Sequence, residues 1–171
     1  MILRYILITT CIFFSAGIIA ETNTESVKEK ETIPEPRVYV KTVKADYTKT
    51  YKKIFNGLEN NGYFVIIEPN IGRNLASFAQ RWGNNYNKNK LESIRSIVFC
   101  NGGYANEISN VDPAMLALCP LHVTLTAKDG KTSILFVRPS EVALNSPAYK
   151  VALELEQDVI RVIEEAVWVQ K

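Results

Sequence analysis

Residues 121–138 carry the feature that most restricts the fold: two strand-like runs joined by Asp129-Gly130. Leu121, Val123 and Leu125 alternate with His122, Thr124 and Thr126, and a second β-rich run follows at Ser133 to Arg138. Period-two alternation sends the apolar side chains to one face, and Asp-Gly suits the two-residue hairpin turn. A lone hairpin is at best marginally stable in water. The remainder of the chain has to supply further strands and a cover for the apolar face.

It does so in a regular order. Val38 to Val43 alternates as a half-buried strand does. Asp46 is the expected cap of a helix in which Tyr47, Tyr51, Ile54, Phe55 and Leu58 share a face, and Asn60-Asn61-Gly62 stops it. Tyr63 to Ile67 is a continuous apolar run, expected as a central strand. Asn70 should cap a second helix with Ile71, Leu75, Phe78, Ala79 and Trp82 on one face, closed by Gly83 and followed by a polar loop from Asn84 to Lys90. Ile94 to Cys100 reads as a buried strand, Tyr104 to Ser109 as a short helix, and Asp112-Pro113 as a cap with proline at the first helical position. Ser146-Pro147 should open the last helix, whose apolar face is Val151, Leu155, Val159, Val162, Ile163 and Ala166. The opposite face is Glu154, Glu156, Asp158, Arg161 and Glu165. The expectation is an α+β domain, β-α-β-α-β-(α)-β-β-α, with a helix-covered mixed sheet and a terminal hairpin. Tyr63, Phe64, Phe78, Trp82, Phe99 and Phe136 are expected mostly in the core, and Trp168 past the last helical turn.

The ends suggest a compartment. Arg4 precedes an apolar stretch from Tyr5 to Ala20, the pattern of a cleaved export signal over 1–20. That stretch is shorter than the roughly 20 apolar residues a membrane span needs, so stable insertion after cleavage is not expected. The sequence before Cys11 matches a lipidation box only loosely, making a lipidated or signal-anchored form the lesser alternative. Residues 21–36 hold five acidic and two basic residues and a Pro-Glu-Pro end, which reads as a flexible polar spacer. The single domain is then 37–171, located in the periplasm if the source is bacterial. Its 17 basic and 13 acidic residues are scattered rather than gathered on one basic face, so no nucleic-acid partner is expected.

Reactive side chains concentrate between Phe99 and His122. This stretch holds the two cysteines of the expected mature chain, Cys100 and Cys119, and the single histidine. Three readings remain open. Export favours a Cys100–Cys119 disulfide closing a loop of about 20 residues. Cys119 and His122 have zinc-like local spacing, with Cys100 as a third ligand, but the haem-attachment signature Cys-x-x-Cys-His is absent. A thiol-redox role lacks a Cys-x-x-Cys pair. Gly102-Gly103 reads as a tight turn needing positive φ, which would let a ligand approach beside Cys100, with Asn101 and Tyr104 as polar contacts. No Gly-x-Ser-x-Gly elbow is present, and the histidine has no identifiable orienting carboxylate.

With these elements placed, the chain resembles domain-of-unknown-function family 302. The matching marks are Gly62-Tyr63-Phe64-Val65, Phe99-Cys100-Asn101, Leu118-Cys119-Pro120 and Arg138-Pro139, within a similarity running from about Val38 to Ala166. Gly102 stands where members often have proline. Cys119 precedes Pro120 where a Leu-Pro-Cys order is common, a one-residue shift that in a strand would reverse the side-chain face. The resemblance implies a fold similar to TATA-binding-protein-like α+β domains and a homodimer, and implies no established activity. The functional expectation is a non-enzymatic module binding a small ligand or a partner, with candidate residues Cys100, Asn101, Gly102, Gly103, Tyr104, Cys119 and His122. The alternative is a thiol-redox or metal- or haem-dependent protein using Cys100, Cys119 and His122. No cofactor is named by the residues.

Overall fold

The computed structural model describes residues 36–168. The expected leader, Cys11 and the spacer up to residue 35 lie outside the described residues. Among the described residues, no helix is long and apolar enough to cross a membrane.

The hairpin forms the middle of the molecule. β4 (Leu121–Lys128) and β5 (Lys131–Val137) pair antiparallel through Lys128 and Lys131. The turn between them holds Asp129 at φ 50° and Gly130 at φ 67°, the two left-handed residues this hairpin type requires. β1 (Val38–Val43) joins the outer side of β5, β3 (Ser93–Cys100) the outer side of β4, and β2 (Phe64–Ile67) the far side of β3. The order is β1-β5-β4-β3-β2. Ile97 and Phe99, Val123 and Leu125, and Ile134 and Phe136 are buried on one face of the three central strands. Two helices cover that face. α1 (Tyr47–Asn60) begins where the Asp46 carboxylate accepts from Lys49 N at 2.8 Å and contributes Ile54 and Leu58. α6 (Tyr149–Val167) contributes Leu155, Val159, Val162 and Ile163. Full burial is worth roughly 1.5–3 kcal/mol for each such aliphatic side chain, so this single layer dominates the fold's stability.

The opposite face of the sheet keeps Val38, Val40, Val137 and His122 exposed. Between the strands run α2 (Ile71–Ala76), α3 (Ala79–Trp82) and α4 (Gly102–Val111), with 3-10 turns at Gly83–Asn85 and Pro113–Leu118, and the short α5 (Pro139–Val142) links β5 to α6.

Several expectations are corrected. The sheet is antiparallel at every pairing, not mixed, because β1 and β2 stand at opposite edges and α1 crosses the width of the sheet between them. β2 is an edge strand, not a central one. It pairs only with β3, has an irregular register between Val65 and Ile67, and leaves Phe64, Ile66 and Ile67 more than half exposed. The second helix breaks in two after Ala76. Ser77 hydroxyl donates to Asn74 O at 2.7 Å, and Phe78 leaves helical geometry at φ −104°, ψ 4°. Phe78 and Trp82 then stack on each other at 5.3 Å, each a little under half exposed, instead of entering the core. Tyr63, Phe99 and Phe136 are buried as expected. α6 starts at Tyr149, with Ser146 Oγ accepting from Ala148 N just ahead of it. Glu156, assigned by periodicity to the solvent face, is 2% exposed.

Candidate functional site

Cys100 is the last residue of β3, and Asn101 follows as the cap of α4, accepting from Gly103 N at 2.9 Å and Tyr104 N at 3.2 Å. The Asn101 amide also donates to Gly62 O at 3.3 Å. Gly102 and Gly103 are therefore the first helical turn. Neither has positive φ, which corrects the expected tight turn; among the described residues the glycines at positive φ are Gly62, Gly83 and Gly130. α4 leads into the 3-10 turn capped by Asp112, whose carboxylate accepts from Ala114 N at 3.1 Å. That turn carries the chain back to Cys119, and the two sulfurs lie 2.8 Å apart. Cys119 precedes β4 rather than belonging to it, so the strand-parity concern does not apply.

The surroundings of the pair decide what it can do. Burial pushes the Cys100 thiol up to about 11, and the hydrogen bond and proximity to Cys119 push the same way. An attacking thiol needs the opposite shift. Beside the sulfurs, Tyr104, Ile108, Met115, Leu121 and Leu155 enclose a space of only 20 Å³, room for about one water. His122 is exposed on β4 and opens on a different hollow, with Pro120, Phe136 and Pro139. The structure thus brings Cys100, Asn101, Tyr104 and Cys119 together and leaves His122 outside the group. Among the described residues, no three of His, Cys, Asp and Glu are placed to hold a metal ion.

A second, roomier hollow lies at the other end of β3, away from the residues the sequence singles out. It measures about 630 Å³, between α2, the loop after α3 and the start of β3, and includes Asn70, Arg73, Trp82, Tyr86, Asn87 and Arg95. Its floor depends on Gly72, where an added Cβ would stand 3.2 Å from Ile94 N. Asn87 fixes the loop through two bonds to Leu91, its amide donating to the carbonyl and its side-chain oxygen accepting from the backbone N, both at 2.9 Å. The sequence signal was present but generic: a polar Asn-rich loop behind a Gly83 break.

A five-stranded antiparallel sheet with two long helices on one face defines an α+β domain of the sandwich type. The chain belongs to the family described as Domain of unknown function DUF302, whose model matches residues 39–166. Its fold is similar to that of the uncharacterised conserved DUF302 protein from Bacillus stearothermophilus solved by crystallography. The TM-score is 0.65 at 17% sequence identity, over 76% of this chain and 98% of that one. No curated relative matches the chain.

Proposed function

We propose that the chain is an exported, non-enzymatic module that binds a small ligand in the cleft at the start of β3, with Cys100 and Cys119 joined as its covalent staple. The observation that carries this reading is the division of labour along β3. Its Cys100 end holds two adjacent sulfurs with room for about one water, and its Ser93 end borders a hollow of about 630 Å³. That volume falls in the range of small-molecule sites, and the walls mix aromatic rings with a few polar groups, as such sites do. Exposed Phe64, Ile66 and Ile67 on an edge strand support the homodimer that the family resemblance implies.

The test has two readouts on the purified protein. Small-molecule titration followed by amide NMR should shift residues 70–95 and leave Cys100 and Cys119 unmoved. Intact mass with and without alkylation should show both cysteines blocked, with a mass lower by two hydrogens. Turnover of any substrate that disappears when either cysteine is replaced by serine would overturn the reading. So would ligand shifts confined to the cysteine region.

A second reading has one observation in its favour. The sulfurs are close enough to make and break a bond without rearranging the sheet, so the pair could cycle between dithiol and disulfide by exchange with a partner's disulfide or dithiol, which takes up or returns the two electrons and two protons. Alkylatable thiols in protein taken from its own compartment would support it.

A further inference from the structure

The net charge of the domain is concentrated in one excursion of the chain. Residues 37–171 hold 17 basic and 13 acidic residues. Residues 69–91 take four of the basic ones, Arg73, Arg81, Lys88 and Lys90, and none of the acidic ones. Elsewhere the two signs balance at 13 each, so the whole excess lies between β2 and β3. All four cations are exposed, and none has an ion pair or a side-chain hydrogen bond among the described residues. The same excursion exposes large apolar side chains. Leu75 is 36% exposed, Phe78 47% and Trp82 40%. Leu75 and Trp82 wall the same cleft, and Phe78 stacks on Trp82 with ring centres 5.3 Å apart, so the three stand close together outside the core.

Exposed apolar side chains amid charges of a single sign fit few partners. A second copy is disfavoured, because a two-fold contact through this face would set four cations against four. A nucleic-acid strand wants rings free to take its bases. Here the two rings are stacked on each other, and Leu75 has no ring to offer. An anionic bilayer suits both parts of the surface. Tryptophan and other apolar side chains enter the headgroup region, while arginine and lysine meet the lipid phosphates.

We propose that the α2–α3 excursion is a peripheral docking surface for an anionic lipid bilayer, with Leu75, Phe78 and Trp82 entering the interface and the four cations of the same stretch on the lipid phosphates. The contact is adsorption to the surface, not insertion of a spanning helix. It goes beyond the small-ligand reading and does not depend on it, although Trp82 borders both surfaces.

Trp82 supplies the readout. The chain has two tryptophans, so Trp168→Phe leaves Trp82 as the one indole emitter. Vesicles of equal parts phosphatidylglycerol and phosphatidylcholine are titrated into this variant. Trp82 emission should move to the blue and be quenched by brominated acyl chains. The signal is local to Trp82, so it reads the same contact whether or not residues 1–20 remain attached. Vesicles of phosphatidylcholine alone should need at least about tenfold more lipid, and raising salt from about 50 to about 500 mM should weaken binding to the anionic vesicles. Arg81→Gln combined with Lys88→Gln should raise the half-maximal lipid concentration about twentyfold, near fivefold for each cation. Phe78→Ser should raise it about tenfold. Leu144→Ser, at an apolar residue 54% exposed outside the excursion, should leave it unchanged. These side chains are exposed, so every variant should melt near the parent's temperature. Equal response to the two kinds of vesicle, no shift with anionic vesicles in large excess, or the same lipid requirement in parent and variants would overturn the proposal. Glycerol phosphate reproducing the Trp82 shift would also overturn it, and would support the small-ligand reading instead. A single-stranded oligonucleotide that outcompetes the anionic vesicles, or a Trp82 shift that follows protein concentration without lipid, would overturn it in favour of a nucleic-acid strand or a second copy.

Discussion

Glu156 shows how a single side chain can leave its helical face. Its carboxylate accepts from Ser140 N at 3.2 Å, from the Ser140 hydroxyl and from the Arg138 guanidinium, which ties α6 to the short helix after β5. A buried pair of this kind is costly to break because the surviving charge stays in a poorly solvated place. Glu156→Ala should therefore lower the unfolding free energy by about 3–5 kcal/mol, and a urea midpoint within error of the parent would refute the assignment. Surface charges on the same helix provide the contrast. Arg161 bridges Asp158 and Glu165 in the open, where water and salt screen both pairs, and Arg161→Ala should leave the urea midpoint close to the parent's. The other residue-scale prediction concerns Cys100 in the reduced protein. A thiol titrating at about 11 is about one part in a thousand thiolate at pH 8, where an ordinary cysteine is about one quarter ionised. Iodoacetamide should label Cys100 more than tenfold slower than a free cysteine at pH 8, with a rate still climbing toward about pH 11. The linkage follows from the same direction: the fold favours the neutral thiol. Its contribution is complete below the ordinary thiol pKa and is lost as pH rises from about 8.5 to about 11. A labelling rate that levels off near pH 8.5 would contradict both statements.

At the scale of elements, the glycines separate what sequence draws the eye to from what packing requires. Gly102-Gly103 is conspicuous, yet an added Cβ at Gly102 would meet nothing within 4 Å, and both residues are helical. Gly102→Ala should stabilise the protein by about 0.4–1 kcal/mol by restricting the unfolded chain. Gly72 is unremarkable in sequence, but its Cβ would press on the backbone of β3 at Ile94, which cannot swing aside. Gly72→Ala should displace α2, shift the amides of residues 70–76 and 93–95, and cost about 1–3 kcal/mol. If the two substitutions behave alike in chemical denaturation, the close approach of α2 to β3 is not what shapes the cleft. The same contrast marks what was legible beforehand. Every expected strand is present, and Asp46, Asn70 and Asp112 cap the segments assigned to them, because caps and period-two runs are local properties. The position of β2 at an edge depends on which strand β3 chooses as its second neighbour, a non-local matter that the apolar Phe64–Ile67 run misstates. The Cys100–Cys119 neighbourhood was readable from two strand ends brought together by an α-helix and a turn. The cleft around Arg95 was not, since its walls come from three segments, α2, the loop after α3 and the start of β3, and Arg95 had no feature marking it out within the strand.

For the whole molecule, the cysteine pair matters through where it ties the chain. β3 and β4 are adjacent strands of the sheet, and the segment joining them, α4 plus the 3-10 turn, is the long excursion that a bond between Cys100 and Cys119 would close. Excluding that loop's freedom from the unfolded ensemble is worth roughly 3 kcal/mol at this loop length, with no change in the folded contacts. The stabilisation should then act on the sheet as a unit, because β3 and β4 carry Ile97, Phe99, Val123 and Leu125 into the common core. Cys119→Ser tests this in protein produced under oxidising conditions. Its urea midpoint should fall by the equivalent of about 3 kcal/mol, and dithiothreitol should move the parent to the same place while leaving the variant where it is. Ligand binding in the cleft at the start of β3, at the other end of that strand, should survive both treatments, since ligand affinity reads the native state and the staple acts mainly on the unfolded one. A parent midpoint indifferent to reductant would rule out the staple. A reductant-dependent loss of ligand affinity with the fold intact would instead make the sulfur pair a switch on the cleft.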